Sequence, residues 1–317
     1  MADPVISVTG LRKSYGDLEA VKGVDLEVRA GEIFAFLGPN GAGKTTTVEV
    51  LEGYRKRSAG EVSVLGVDPS SPNRSWRERI GIVLQECRLT PELTVNEAVA
   101  QYAGYYSGAR DVRETVRLVG LGEKADTRTS KLSGGQQRRL DVALALVGDP
   151  ELIFLDEPTT GFDPGARRQA WDVISSLRDL GKTVFLTTHY MDEAQGLADR
   201  VAILAAGEIV AQGAPDELAG GDSTTRIAFR LPRAEIDRLP AGLREAAEIR
   251  SANHTSEISL RVEDPVPVLR ELTTWASDRG VGLPGLEVRR PSLEDVYLRL
   301  TGEAADGAGG SRQKDPR

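Results

Sequence analysis

The chain has 317 residues, 40% of them hydrophobic, with 40 Lys and Arg against 48 Asp and Glu, for a formal net charge of −8. That length suggests about two domains with apolar material for a sizeable core, and the acidic balance argues against a nucleic-acid binder that relies on a broad basic surface. The single cysteine, Cys87, excludes an intrachain disulfide, and no run of about 18 apolar residues is present to span a bilayer, so a membrane role would have to come through a partner.

Met1-Ala2-Asp3-Pro4 shows no basic stretch followed by an apolar one, so no signal peptide is expected. Val5 to Val8 and Val24 to Val28 alternate as strands, and Gly31-Glu32 turns into the apolar run Ile33 to Leu37, which predicts a buried strand. The next residues, Gly38-Pro39-Asn40-Gly41-Ala42-Gly43-Lys44-Thr45, fit the phosphate-loop pattern G-x-x-x-x-G-K-[ST] at every fixed position, and Thr45-Thr46 opens a helical segment to Leu51. Strand, loop and helix in that order are the context the motif requires. Gly38, Gly41 and Gly43 carry no Cβ to hold the backbone away from an anion, and the helix N-terminus adds positive potential. Lys44 adds a full charge toward the β- and γ-phosphates, and the Thr45 hydroxyl is a Mg²⁺ ligand of the usual kind.

Further along, Glu61 to Leu65 and Ile80 to Leu84 are short strands, and Pro91 to Leu146 turns helical, with Asn96 to Tyr106, Val112 to Val119 and Gln136 to Leu146 as helices. Leu152 to Leu155 is an apolar strand that ends in Asp156-Glu157. At the carboxyl edge of an α/β sheet, Asp156 suits Mg²⁺ through water and Glu157 suits polarisation of an attacking water. Pro164 to Leu180 is a helix with Gly181 as its stop, Thr183 to Thr187 a strand, Met191 to Ala198 a helix, and Arg200 to Leu204 with Ile209 to Ala211 a hairpin about Ala206-Gly207. A boundary is expected near Gly220 to Ser223. Beyond it, strands at Thr225 to Leu231, Ile258 to Val262 and Leu286 to Arg289 combine with helices at Ala234 to Arg238 and Val266 to Arg279. The Gly/Ala/charged end, Gly302 to Arg317, is expected to be disordered.

Leu132-Ser133-Gly134-Gly135-Gln136 places a hydroxyl and glycine backbone donors before a helix, in effect a second anion site. With the preceding motifs it resembles the ATP-binding cassette (ABC) family, densely over residues about 5 to 220. The resemblance implies an α/β fold: a phosphate-loop NTPase cassette at 5–222, with a mixed sheet and a helical subdomain at about 88–145. A small α+β C-terminal domain at 223–302 and a disordered tail at 303–317 follow. It also implies roles. Tyr15 matches the aromatic that stacks on adenine, and Gln85 the glutamine that senses Mg²⁺ and the transport partner. Gly161-Phe162-Asp163 matches the loop after the carboxylates, with Phe162 where many members carry Leu, and His189 matches the γ-phosphate histidine. Catalysis would rest on Glu157, His189 and Lys44, the metal on Thr45, Gln85 and Asp156.

Members of this family pair head to tail, so Ser133 and Gly135 are expected to act on the ATP of a second copy. The segment Thr90 to Glu97 resembles the surface that grips a permease. Thr187-Thr188-His189-Tyr190-Met191-Asp192-Glu193-Ala194 and the ending Pro291 to Gly302 resemble the ABC-2 type drug and antibiotic exporters, including daunorubicin-resistance-like ATPases. The expectation is therefore a Mg-ATP-hydrolysing exporter subunit, peripheral on the cytoplasmic face of the membrane, with a separate transmembrane permease and no nucleic acid. An importer ATPase with a regulatory C-terminal domain and a soluble non-transport ATPase are the alternatives. Repair-type members carry a long coiled coil between phosphate loop and LSGGQ, and here only about ninety residues separate the two.

Overall fold

The computed structural model describes residues 4–83, 90–220, 225–252, 255–289 and 292–298. Cys87 and the expectations for Gln85 and the tail at 303–317 lie outside these residues. The chain divides into two units, Met1–Pro215 and Asp216–Arg317.

In the first unit, β1 (Ile6–Tyr15) and β2 (Leu18–Val28) form an antiparallel hairpin. Only its open end was legible from alternation. The register slips between Val8 and Leu11 and again near Lys13, and each slip breaks the period-2 pattern that marks a strand. β3 (Ile33–Leu37) leads into α1 (Lys44–Leu51), and β4 (Ala59–Val64) pairs with the free edge of β1. Then come α2 (Arg74–Glu78), capped by Asn73, and β5 (Ile80–Val83).

The helical segment holds α3 (Val95–Ala103), α4 (Val112–Leu118) and α5 (Gly134–Leu146). Thr94 with Glu97 and Ser133 with Gln136 are reciprocal capping boxes, and Asp111 caps α4; the caps start α3 at Val95 and α5 at Gly134, ahead of the expected Asn96 and Gln136. β6 (Leu152–Asp156), α6 (Pro164–Asp179), β7 (Thr183–Thr188), α7 (Met191–Leu197), β8 (Arg200–Ala205), β9 (Glu208–Gly213) and α8 (Pro215–Gly220) complete the order.

The six-stranded sheet runs β5-β6-β7-β3-β8-β9, parallel except for the edge strand β9. Its central strands are apolar and buried almost throughout, as parallel strands covered on both faces must be. Phe185 of β7 is the hub. Its ring lies 5.6 Å from Phe34, 5.7 Å from Phe36 and 5.6 Å from Phe154, so three neighbouring strands meet on one aromatic side chain.

The second unit is an antiparallel sheet of order β11-β12-β10-β13, built from β10 (Thr225–Pro232), β11 (Ala247–Ala252), β12 (Thr255–Val262) and β13 (Glu287–Arg289). With it come α9 (Arg233–Ile236), α10 (Ala241–Glu245), α11 (Pro265–Arg279) and α12 (293–298). β11 escapes a sequence reading because Ala-Glu-Ile-Arg-Ser-Ala offers one large apolar residue, and its place at the sheet edge asks for no more. Ile227, Phe229, Ile258, Leu260, Leu272 and Trp275 form the core, and Trp275 Nε1 donates to Arg238 O at 2.8 Å. In α12, Leu293 and Val296 are buried and Leu298 is exposed, an amphipathic pattern.

Two outcomes follow from this packing. Phe185→Ala should cost about 3–5 kcal/mol, read as a drop in the midpoint of chemical unfolding, because it empties the contact of three strands. Glu52, at the end of α1, is buried beside Asp156 and Glu49, and burial first, then these two charges, push its carboxyl from 4.5 up to about 8. The folded chain therefore holds a proton through a window in which the unfolded chain has released it, so stability falls as pH rises from about 4.5 to 8. Glu52→Gln should flatten that part of the stability–pH profile and raise stability at pH 8; an unchanged slope would rule this out.

Candidate active site

The parallel register sets the site. Asp156 pairs with Thr187 and Leu37 with Thr188, so the ends of β6, β7 and β3 lie in one row, and Gly38 N–H donates to Thr188 O at 3.3 Å. The phosphate loop, the carboxylates and the histidine turn therefore leave the sheet at the same edge. Pro39, Asn40, Gly41, Gly43, Lys44, Thr45, Thr46, Asp156 and Glu157 line a single cleft of about 390 Å³, together with Ala20. Ala42 is buried under the loop, its N–H donating to Pro39 O and its carbonyl accepting from Gly207 N–H at 3.0 Å.

The glycines answer to the protein as much as to an anion. A Cβ on Gly38 would stand 2.4 Å from Leu204 O, and one on Gly43 would stand 2.5 Å from Ala20 O. Gly43 is also the cap of α1 at φ 105, a backbone angle other residues rarely adopt. The loop is thus clamped between β2 and β8, with Lys44, Thr45 and Thr46 of the first turn of α1 lining the cleft.

Lys44 is buried. Its Nζ donates to Gly38 O at 2.7 Å and Pro39 O at 3.2 Å, and lies 3.5 Å from Glu157 Oε1. Burial pushes its ammonium below the ordinary range, with Glu157 and Asp156 opposing that push. Glu157 has φ 45, a left-handed conformation that costs a non-glycine residue on the order of 1 kcal/mol. Its N–H is held by Thr187, by the carbonyl at 3.2 Å and the hydroxyl at 3.0 Å. This turn breaks the alternation of the strand and brings Asp156 and Glu157 to the same cleft. Burial alone would raise the Glu157 carboxyl. The Thr160 hydroxyl at 3.0 Å, Lys44 and His189 outweigh it and hold the group below its ordinary range, an anion ready to accept a proton or orient a water. His189 Nδ1 lies 3.3 Å from Glu157 Oε2, close enough for electrostatic interaction but without the alignment of a hydrogen bond.

The structure does not bring the other expected residues into this cleft. Ser133 and Gln136 are joined in the capping box of α5, with Ser133 N–H donating to Gln136 Oε1 at 3.0 Å and Gln136 N–H to Ser133 Oγ at 3.3 Å. Gly134 and Gly135 are the first residues of that helix, and Gly135 lies along a crevice with Phe162 and Ala166. Asp163 caps α6, accepting from Gly165 N–H at 2.8 Å and Ala166 N–H at 3.0 Å. Tyr15 is at the end of β1 with 40% of its surface exposed, its ring flanked by Lys13 at 5.1 Å and Arg55 at 5.2 Å. Gln85 is outside the described residues.

Three residues at the site were given no role of their own by the sequence. Thr187 donates its hydroxyl to Asp156 Oδ1 while accepting from Glu157 N–H. Arg138, one turn into α5, donates from Nη2 to Asp156 O at 2.8 Å and from Nε to Pro158 O at 3.3 Å, tying the LSGGQ helix to the carboxylate strand. Glu193 is a buried acid discussed below. Only the strand register and the docking of α5 reveal what these side chains touch.

Residues 21–160 match the family described as ABC transporter, and residues 225–292 the one described as ABC transporter domain-containing protein-like, C-terminal domain. The chain is 38% identical over 315 residues to the daunorubicin/doxorubicin resistance ATP-binding protein DrrA of Streptomyces peucetius, covering 95% of this chain and 93% of that protein. It is 40% identical over 309 residues to the Nod factor export ATP-binding protein I of Ralstonia nicotianae, covering 94% of each. A solved dimeric ATP-binding cassette in a post-hydrolysis state, bound to ADP and Pi, superposes with a TM-score of 0.58 at 28% identity, over 66% of this chain and 98% of that one. A phosphate loop facing paired carboxylates, within a chain that aligns with such relatives almost end to end, places it in one family: the chain belongs to the ABC transporter family, as a nucleotide-binding ATPase.

Proposed function

We propose that this chain is the motor subunit of an exporter. It works as a head-to-tail dimer on the cytoplasmic face of the membrane and drives a separate ABC-2 type permease that carries a drug, antibiotic or other amphiphile. The observation that carries the mechanism is that Lys44, Asp156 and Glu157 share one cleft with the phosphate loop, while Ser133 to Gln136 do not line it. A site with a full set of phosphate and carboxylate groups but no second anion clamp is one that another copy completes. Among the described residues no helix is long and apolar enough to cross a membrane, which fits a subunit that reaches the bilayer through its partner. The export reading draws on the two exporter relatives and on the wording of Thr187 to Ala194.

The cleft's geometry and the family resemblance together support a division of labour. The loop N–H groups and Lys44 take the β- and γ-phosphates, and Lys44 exchanges Gly38 O, Pro39 O and Glu157 for them. That exchange frees the Glu157 carboxylate to hold the attacking water, and His189 lies at the same edge to meet the γ-phosphate. Tyr15 supplies the adenine platform, and Ser133 and Gly135 close over the γ-phosphate of the opposite copy. Asp163, in the loop between the carboxylates and α6, supports that closed arrangement.

Among the described residues no three His, Cys, Asp or Glu converge, so a metal has no cage of its own. The Thr45 hydroxyl and Asp156 carboxylate, both oxygen donors on the cleft, fit a Mg²⁺ ion that arrives with the nucleotide, with Gln85 as the third ligand. Bound there, the ion would neutralise phosphate charge.

Glu157→Gln should abolish turnover, keep ATP affinity within about threefold, and form an ATP-dependent dimer in size-exclusion chromatography at millimolar Mg-ATP. A variant that stays monomeric would count against the sandwich. Lys44→Ala should weaken ATP binding by about tenfold or more, from the loss of charge-assisted hydrogen bonds worth about 1.5–3 kcal/mol each. Reconstitution with the adjacent membrane protein should change the ATPase rate; no change and no recruitment of this chain to the membrane would overturn the export reading.

A further inference from the structure

Glu193 is fully buried, and the hydrolysis chemistry above gives it no part. It lies in the first turn of α7, four positions after His189. Its Oε1 accepts from the Thr159 hydroxyl at 2.8 Å and from Trp171 Nε1–H at 3.2 Å. Oε2 is buried without an aligned hydrogen bond, and Thr188 is the neighbouring hydroxyl that interacts with the carboxyl. Thr188 Oγ1 itself accepts the Tyr190 N–H at 2.9 Å. By hydrogen bonds, one carboxyl on α7 thus joins the turn after Glu157 and α6, and it lies beside the end of β7 that carries His189.

A buried carboxyl is a costly way to join segments if packing is all that is needed, since apolar residues of similar volume do that as well or better. What it adds is direction. Thr159 stands two residues after Glu157, and Thr188 stands directly before His189, so the groups it engages flank the two catalytic side chains. The same helix start also packs beside the histidine. Arg167 pairs with Asp192 at 3.2 Å, its guanidinium lies 4.2 Å over the Tyr190 ring, and that ring lies 4.0 Å from His189.

We propose that Glu193 is a positioning residue for ATP hydrolysis: it ties the Glu157 turn to the His189 turn and so sets the 3.3 Å approach of His189 to Glu157. This rests on the roles given above to Glu157 and His189. Trp171, through its indole N–H, and Thr159 are members of the same tie.

The test is steady-state ATPase kinetics of the full chain for Glu193→Ala, Glu193→Gln and Thr159→Val, with His189→Ala and Glu157→Gln alongside. Glu193→Ala should lower kcat by about 10- to 100-fold, the scale of a misplaced catalytic group, with KM for ATP within about twofold. Glu193→Gln keeps an acceptor for Thr159 and Trp171 and should recover most of the rate. Thr159→Val should lower kcat less than Glu193→Ala does. The Glu193→Ala, His189→Ala double variant should be no slower than the slower single variant, because both act through one contact. The proposal is overturned if Glu193→Ala keeps wild-type kcat, if its loss multiplies with that of His189→Ala, or if Glu193→Gln is as impaired as Glu193→Ala. Should Glu193→Ala fail to fold, Thr159→Val decides: its kcat must fall while KM stays within the same limits and Glu193→Gln keeps most of the rate, and wild-type kcat in Thr159→Val overturns the proposal. Wild-type turnover by Glu157→Gln would instead refute the role of Glu157, whereas an inactive Glu157→Gln beside fully active Glu193 variants refutes only the tie.

Discussion

The parallel register of β3, β7 and β6 is the constraint on which the active site depends. Leu37 beside Thr188 and Asp156 beside Thr187 make three strand ends coincide, and the phosphate loop, the carboxylates and the histidine turn all leave the sheet at that row. A slip of one residue in any of these strands would move Asp156 or His189 to the other face, because strand side chains alternate. Phe185, packed on Phe34, Phe36 and Phe154, is the apolar lock on that register. The core and the catalytic cleft are therefore one construction: the same strands bury their middles and expose their ends.

Charge in the cleft is balanced before any nucleotide arrives. Lys44 is surrounded by Gly38 O, Pro39 O and Glu157, and Glu157 by Lys44, His189 and Thr160. An uncompensated ammonium or carboxylate at this depth would be strongly disfavoured, so each serves as the other's counter-charge. In the mechanism proposed above, phosphate oxygens replace the carboxylate on Lys44 and free Glu157 to orient water. Glu52 and Glu193 extend the same economy inward as buried acids whose surroundings push their carboxyls toward the neutral form.

The LSGGQ segment is a different case. Alone, its Ser133 and Gln136 satisfy one another as a helix cap, which leaves α5 stable without a ligand. Arg138 then fastens that helix to the backbone of Asp156 and Pro158. A movement of the helical segment is therefore felt at the carboxylate strand through hydrogen bonds rather than through apolar contact alone.

The sequence by itself determined the nucleotide, the family and the order of the main elements. Gly38 to Thr45, Leu132 to Gln136 and Asp156-Glu157 are local signals, since each acts through its own backbone and its neighbours. The caps at Thr94, Ser133 and Asp163 were written in the chain for the same reason. Illegible in the sequence were the long hairpin of β1 and β2, whose bulges erase alternation, and the edge strand β11, whose position demands few apolar residues. The reason for Gly38 and Gly43 was half legible: closeness to an anion was foreseen, but the backbones of Leu204 and Ala20 are what exclude a side chain there. Only the tertiary structure decided that Lys44 meets Glu157, that Thr187 grips both Asp156 and Glu157, and that Glu193 reaches Thr159 and Trp171. These contacts join residues 22 to 113 positions apart, and no local pattern encodes a distance that the strand register alone creates.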